Sequence, residues 1–332
     1  MDAALYDELE QLYPMDARPL YFAGGHAWSD GTVYQYTSKG VEYLVKVMPS
    51  STAYVLPAVL ERQQWMEYLS RNGVGTLTPL RSSHDQLAES LADGSYLCYS
   101  WKKSHGQHIA HSDPRHRQDF YPKWGALVGK MHCLAQDYST WKQSDCADGN
   151  GKPLISREWE IAHFRDWIRD DEVRDAWLEL NARLDKLPRT RQNFGMVHND
   201  PHPGNILIED GSLVLIDFDV VNYQWFILEL CICLFSEYAH VEHHSPHKDL
   251  LPCMDELFIR PFMRGYASEN SLPEEEFAHV EDFIRYRRFL MFAAFYDQIK
   301  DAAPQYLQQM KQELISGKQF FPDGLCFPDC WR

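Results

Sequence analysis

The first hundred residues alternate short β-branched and aromatic runs with turn signals. Residues 21–22, 32–37 and 41–48 read as strands, separated by Gly24-Gly25, Asp30-Gly31 and Lys39-Gly40. Residues 56–69 switch to helical spacing, with Leu60, Trp65, Tyr68 and Leu69 on related faces, and Gly73 and Gly75 close that helix. A further hairpin is predicted over residues 87–99, turning at Asp93-Gly94. From residue 121 the pattern is helical, interrupted by one short β segment at residues 205–218. The apolar run 225–235 contains Glu229 and is too short to span a bilayer, so it predicts a buried helix. The fold class is therefore α+β, a small β-rich part followed by a larger helical one.

Composition narrows the partners. With 332 residues, 45% hydrophobic and 24% charged, the chain can bury a sizeable core. A formal net charge of −16 argues against a nucleic-acid groove or an anionic membrane surface as the main partner. The acidity is spread along the chain and marks no cationic substrate. Residues 1–10 are acidic without an apolar stretch, which leaves no signal peptide and makes the expected location cytoplasmic. Eight scattered cysteines fit free thiols in a reducing compartment. Cys231 and Cys233, and Cys326 and Cys330, lack the spacing of zinc sites.

The chemistry concentrates in one segment, Val197-His198-Asn199-Asp200-Pro201-His202-Pro203-Gly204-Asn205-Ile206-Leu207, followed by Leu215-Ile216-Asp217-Phe218-Asp219. Phosphoryl transfer needs a carboxylate to orient or deprotonate the attacking hydroxyl and magnesium to neutralise the triphosphate. Asp200 can supply the first. Asn205 and Asp217 can supply hard oxygen ligands for the second. Two prolines and a glycine exclude a regular helix between Asp200 and Asn205. Residues 206–208 and 213–216 read as a hairpin turning at residues 209–212, which returns Asp217 beside Asn205.

This segment resembles the catalytic loop and metal-binding strand of the aminoglycoside phosphotransferase and choline kinase superfamily. The carrying pattern is His-x-Asp-x-His-Pro-x-Asn followed by Ile-Asp-Phe. The resemblance implies a two-lobed protein-kinase-like fold, with residues 1–100 as nucleotide-binding lobe and 101–332 as catalytic and acceptor-binding lobe. It implies ATP and Mg2+ as cofactors, Asp200 as catalytic base and Asn205 and Asp217 as metal ligands. His198 and His202 would brace the loop, and Asp219 completes the motif. Glu229 stands where the superfamily carries an aspartate that supports the loop.

Such an enzyme also needs a lysine on the nucleotide phosphates and a helix glutamate to hold it. Lys46 lies inside an apolar strand and requires an anionic partner. Glu61 resembles the superfamily's glutamate in position, and Glu67 is the alternative; an edge-strand lysine reaching solvent is the bland reading. Gly24 and Gly25 occupy the place of the phosphate-covering loop, and the adenine would lie near residues 97–101. Asn199 replaces the arginine of the protein-kinase His-Arg-Asp loop, and no activation segment fits between Asp217 and the helix near Trp225. A small hydroxylated acceptor is expected. A protein kinase on the same scaffold and a nucleotide-binding pseudokinase are the rival classes. The oligomeric state has no signature.

Two further patterns read more blandly. His240, His243, His244 and His247 surround Pro246 and suggest a solvated loop, as do His105, His108, His111 and His116 after the first hundred residues. The aromatic series Phe283, Tyr286, Phe289, Phe292, Phe295 and Tyr296 fits a helix core, or the wall of an acceptor pocket.

Overall fold

A computed structural model describes residues 3–17, 21–24, 31–51, 55–109, 113–138, 155–243 and 246–321. The elements begin with helix α1 (Ala3–Leu12), strands β1 (Tyr21–Gly24), β2 (Thr32–Ser38) and β3 (Val41–Pro49), and helix α2 (Leu56–Arg71). Strands β4 (Pro79–Leu80), β5 (Glu89–Leu91), β6 (Tyr96–Lys102) and β7 (Gln107–His108) follow. Then come helices α3 (Phe120–Ala135), α4 (Arg157–Trp167) and α5 (Asp171–Leu184), with strands β8 (Phe194–Val197), β9 (Ile206–Glu209), β10 (Ser212–Leu215) and β11 (Asn222–Trp225). Helices α6 (Phe226–His243), α7 (Arg260–Ala267), α8 (Val280–Ala302) and α9 (Pro304–Ser316) complete the described chain.

These elements form two compact units. The first takes Met1–His108 together with Ile206–Asp219. Its main sheet is antiparallel in the order β1-β2-β3-β6-β4, with β5 also paired to β6. The alternation that predicts β2 and β3 is satisfied by packing on one face. Tyr36, Val45, Val47, Leu91 and Cys98 bury against Leu9, Leu12 and Tyr13. Helix α1 and the residue after it therefore cover the sheet, a role that acidity at residues 1–10 conceals. Tyr6, Leu9 and Leu12 fall on one helical stripe.

A second sheet of this unit joins β7, β9 and β10. The β9–β10 hairpin pairs Glu209 with Ser212 and Ile206 with Leu215. Its two-residue turn has positive φ at both Asp210 (50°) and Gly211 (76°), the combination that matches the strands' own twist. Glu209 pins the hairpin to the chain after β6 by accepting the main-chain N–H of His105 at 2.7 Å. On the other side Leu215 donates its N–H to the Gly75 carbonyl at 2.8 Å. A side chain at Gly75 would put its Cβ 1.8 Å from the Leu213 carbonyl oxygen, so only glycine permits this approach.

The second unit is helical around a two-stranded ribbon of β8 and β11. The first half of helix α6 is buried on every side, with Ile227, Leu228, Leu230, Ile232 and Leu234 fully buried. Helices α3 and α7 cross closely, because a Cβ on Gly125 would lie 1.8 Å from the Phe262 carbonyl oxygen. On α8, Phe283, Tyr286, Phe289 and Phe292 are buried in the core, whereas Phe295 and Tyr296 at the end of the series are half-buried.

Two expectations change. Trp225 ends a strand, not a helix: residues 222–225 pair with residues 194–197, and α6 starts at Phe226. A buried four-residue strand and a buried helical turn have the same apolar signature. Residues 240–243 belong to α6 and not to a loop. His111, His244, Cys326 and Cys330 lie outside the described residues. Among the described residues no helix is long and apolar enough to cross a membrane.

Candidate active site

Strand pairing assembles the first cluster. The β3–β6 register sets Tyr99 opposite Lys46, and β2 places Val33 on the other side. The Lys46 side chain is 6% exposed, and its ammonium forms an ion pair with the carboxylate of Asp219. Tyr99 donates its hydroxyl to the other carboxylate oxygen of Asp219. Burial opposes ionisation of Asp219, yet the Lys46 ammonium, the Tyr99 hydroxyl and nearby Arg62 outweigh it and hold the carboxyl below its ordinary range. Gly31 packs directly on this lysine: a Cβ there would fall 2.7 Å from Lys46 Cε.

The anion on Lys46 is thus Asp219, although sequence spacing offers Glu61 or Glu67. Glu67 holds Arg81 at 2.8 Å and Arg71 at 2.9 Å instead. Glu61 lies half-buried on α2. Asp217, two residues before Asp219, is exposed and has φ of 68°. A non-glycine residue is strained there, and such strain concentrates at functional positions. Gly24 ends β1 with a register shift between Phe22 and Gly24. Gly25 lies outside the described residues.

The second cluster is the loop after β8, and it is tied to itself and to four helices. Asp200 donates its main-chain N–H to His198 Nδ1 at 3.3 Å, and Gly204 donates to His202 Nδ1 at 3.0 Å. The Asn205 amide donates to the Asp200 carbonyl at 3.0 Å, which commits its nitrogen as a donor and fixes Oδ1 as the acceptor end of the side chain. Trp124 of α3 donates its indole N–H to the Pro201 carbonyl at 2.9 Å. Both His198 and Asn205 are buried.

Asn199, in the arginine's place, has φ of 69°, a conformation asparagine tolerates better than most residues. Its main-chain N–H meets Glu229 Oε1 at 2.7 Å, and its side-chain amide donates to Glu160 Oε2 at 2.6 Å. Glu229 is fully buried and also faces His132 Nε2 at 2.8 Å; His132 Nδ1 in turn faces the Tyr266 hydroxyl at 2.9 Å. Glu160, on α4, further accepts from Asn222 at 3.1 Å, from Gln224 at 2.8 Å and from the Tyr286 hydroxyl. The longer glutamate at position 229 therefore makes the supporting contact.

Asp200 itself carries an ion pair that the sequence did not announce. Arg287 Nη2, from α8, donates to its Oδ1 at 2.6 Å, and His202 Nε2 stands 3.5 Å from Oδ2. Burial would raise the Asp200 pKa; Arg287, then His202 and His198, outweigh it and keep the group ionised well below the usual carboxylate range. Sequence reasoning also missed Glu160 and Tyr99. Only Tyr99 lies in a segment already marked, the strand expected to border the adenine.

Each of the two side chains singled out for a metal carries a hard oxygen. Asn205 Oδ1 and the exposed Asp217 carboxylate are oxygens of the kind magnesium takes, and magnesium needs few protein ligands when phosphates and water supply the rest. A buried lysine in an antiparallel sheet and a braced His-x-Asp loop define a kinase-type phosphotransferase. The chain belongs to the phosphotransferase enzyme family, whose model matches residues 23–266. Amicoumacin kinase of Bacillus subtilis is 26% identical over 276 residues, covering 80% of this chain and 76% of that protein. Among solved structures, the amicoumacin kinase hAmiN in complex with AMP-PNP, Ca2+ and Ami shares the fold, with a TM-score of 0.79 at 22% identity. That match covers 95% of this chain and 93% of the other. A microcompartment-associated aminopropanol kinase has a TM-score of 0.58 at 17% identity, over 94% of this chain and 92% of its own. The fold is thus that of two-lobed kinases, and the chain is a phosphotransferase.

Proposed function

We propose that the protein transfers the γ-phosphate of ATP to a hydroxyl of a small amine-bearing acceptor of the aminoglycoside, choline-like or amino-alcohol class. The observation that supports this most directly is the His198–Asn205 loop, with Asp200 ionised and held on both sides. The acceptor class rests on the relatives: amicoumacin kinase, aminopropanol kinase and spectinomycin phosphotransferase are all named for small molecules.

The roles follow from charge and reach. Asp200 aligns the acceptor hydroxyl and takes its proton as the acceptor oxygen bonds to the γ-phosphorus. The bond from the γ-phosphorus to the bridging β-oxygen breaks, and ADP leaves. Because the transition state of such transfers is loose, an oriented carboxylate matters more than a strongly basic one. Lys46 neutralises the α- and β-phosphates, and Asp219, its ion-pair partner, holds it. Gly24 and Gly25 cover the phosphates with main-chain N–H groups. Asn205 and Asp217 would hold magnesium, which when bound neutralises the charge of the triphosphate. His198 and His202 keep the loop in shape.

A polypeptide acceptor is the weaker reading. β11 starts at Asn222, five residues after Asp217, and leaves no activation segment to bind one. The test is magnesium-dependent ATP consumption across amicoumacin, aminopropanol, spectinomycin, choline and homoserine. Stimulation by one of these supports the reading; stimulation only by added proteins overturns it.

A further inference from the structure

Two consecutive residues of α8 bear on two consecutive residues of the catalytic loop, one through Glu160 and one directly. Tyr286 donates its hydroxyl to Glu160, which holds the Asn199 amide at 2.6 Å. Arg287 holds the Asp200 carboxylate at 2.6 Å. The neighbouring arginines of the helix are engaged elsewhere: Arg285 donates to the Leu314 carbonyl at 2.9 Å, and Arg288 pairs with Glu313. Helical geometry separates these faces, since residues 285 and 288 lie on one side and residue 287 points away from it. Arg287 is therefore not part of the clamp on α9. Its side chain is 13% exposed, and among the described residues Asp200 is its one ion-pair partner.

A guanidinium is costly to bury without a reason. Arg287 Nη2 donates to a single carboxylate oxygen, a charge-assisted bond that fixes the direction of the group as well as its charge. With Oδ1 held by Arg287 at 2.6 Å and Oδ2 facing His202 Nε2 at 3.5 Å, the carboxylate cannot rotate freely, and Oδ2, on the longer contact, is the oxygen that meets an incoming hydroxyl. The Asp200 main chain is fixed at the same time, by His198 on its N–H and by Asn205 on its carbonyl. Main-chain anchoring alone leaves the side-chain rotamer open. Arg287 closes that freedom.

We infer that Arg287 is a positioning residue for the phosphoryl transfer, the group that aims the Asp200 carboxylate at the acceptor hydroxyl. The inference rests on the reading of Asp200 as the catalytic carboxylate. It separates two contributions of α8: Tyr286 and the aromatic core hold the helix in the unit, while Arg287 acts through Asp200 on the reaction itself.

The test measures kcat and acceptor KM for Arg287→Gln, Arg287→Met and Arg287→Lys, with Asp200→Asn alongside. The acceptor is whichever of amicoumacin, aminopropanol, spectinomycin or choline gives the highest turnover. Arg287→Gln should lose roughly a hundredfold in kcat, the scale of a misplaced catalytic group. Acceptor KM should stay within about threefold, since aim and not binding is lost. Arg287→Met keeps the packing of the stem and should behave alike, so it carries the test if the glutamine variant does not fold. Arg287→Lys should recover part of the loss, and Arg287→Gln on top of Asp200→Asn should cost nothing more. Wild-type kcat in a folded glutamine or methionine variant, or a defect confined to KM, overturns the inference while leaving an inactive Asp200→Asn intact. An active Asp200→Asn overturns the reading of Asp200, and this inference with it.

Discussion

Asn199 donates its main-chain N–H to the carboxylate of Glu229 at 2.7 Å, across thirty residues of sequence. The carboxylate is fully buried and shared with His132, so the loop that carries Asp200 is tied to the most apolar helix of the protein. Glu229→Ala leaves two buried donors unanswered and should cost about 3 kcal/mol or more of stability. Glu229→Gln keeps one acceptor oxygen and should cost less. Urea unfolding of both variants, with activity measured in parallel, checks this; equal stability of the alanine variant and the wild type would contradict the brace.

Lys46 pairs with Asp219 inside the first unit. Lys46→Met removes the ammonium assigned to the nucleotide phosphates and strands a buried carboxylate. AMP-PNP affinity should fall by about tenfold to a hundredfold, the worth of a charge-assisted hydrogen bond. Calorimetric titration in the presence of magnesium reads this directly. Unchanged affinity would remove Lys46 from the nucleotide site.

Gly75 lies under the hairpin that leads to Asp217. A methyl group there meets the Leu213 carbonyl oxygen, a main-chain atom that cannot rotate away. Gly75→Ala should therefore destabilise the protein by about 1–3 kcal/mol and lower kcat through Asp217, although residue 75 touches no reactant. A variant with wild-type melting behaviour and wild-type activity would show that the hairpin tolerates displacement.

Much of this was readable from residue order, and the limits have physical causes. β2, β3, α2 and the β9–β10 hairpin announce themselves because alternation, helical spacing and Asp-Gly turns are local signals. The motif from His198 to Asp219 is equally local. Helix α1 is masked by the acidity of residues 1–10, although Tyr6, Leu9 and Leu12 carry its stripe. β11 was absorbed into the apolar run of α6, since a strand buried on both faces loses its alternation. Arg287 had no signal at all. Its partner is 87 residues away, and its neighbours read as aromatic core. The partner of Lys46 is likewise a matter of β3–β6 register, which sets Tyr99 and Lys46 side by side around a carboxylate from far along the chain.

If Asp200 serves phosphoryl transfer to a small hydroxylated acceptor, Asp200→Asn abolishes that transfer. Magnesium-dependent ATP consumption is measured across the acceptor panel for both proteins, with AMP-PNP binding as the control for an intact nucleotide site. Acceptor-stimulated turnover is expected in the wild type, and its loss in a variant that still binds the nucleotide. Acceptor-stimulated turnover at the wild-type rate in Asp200→Asn would contradict that role.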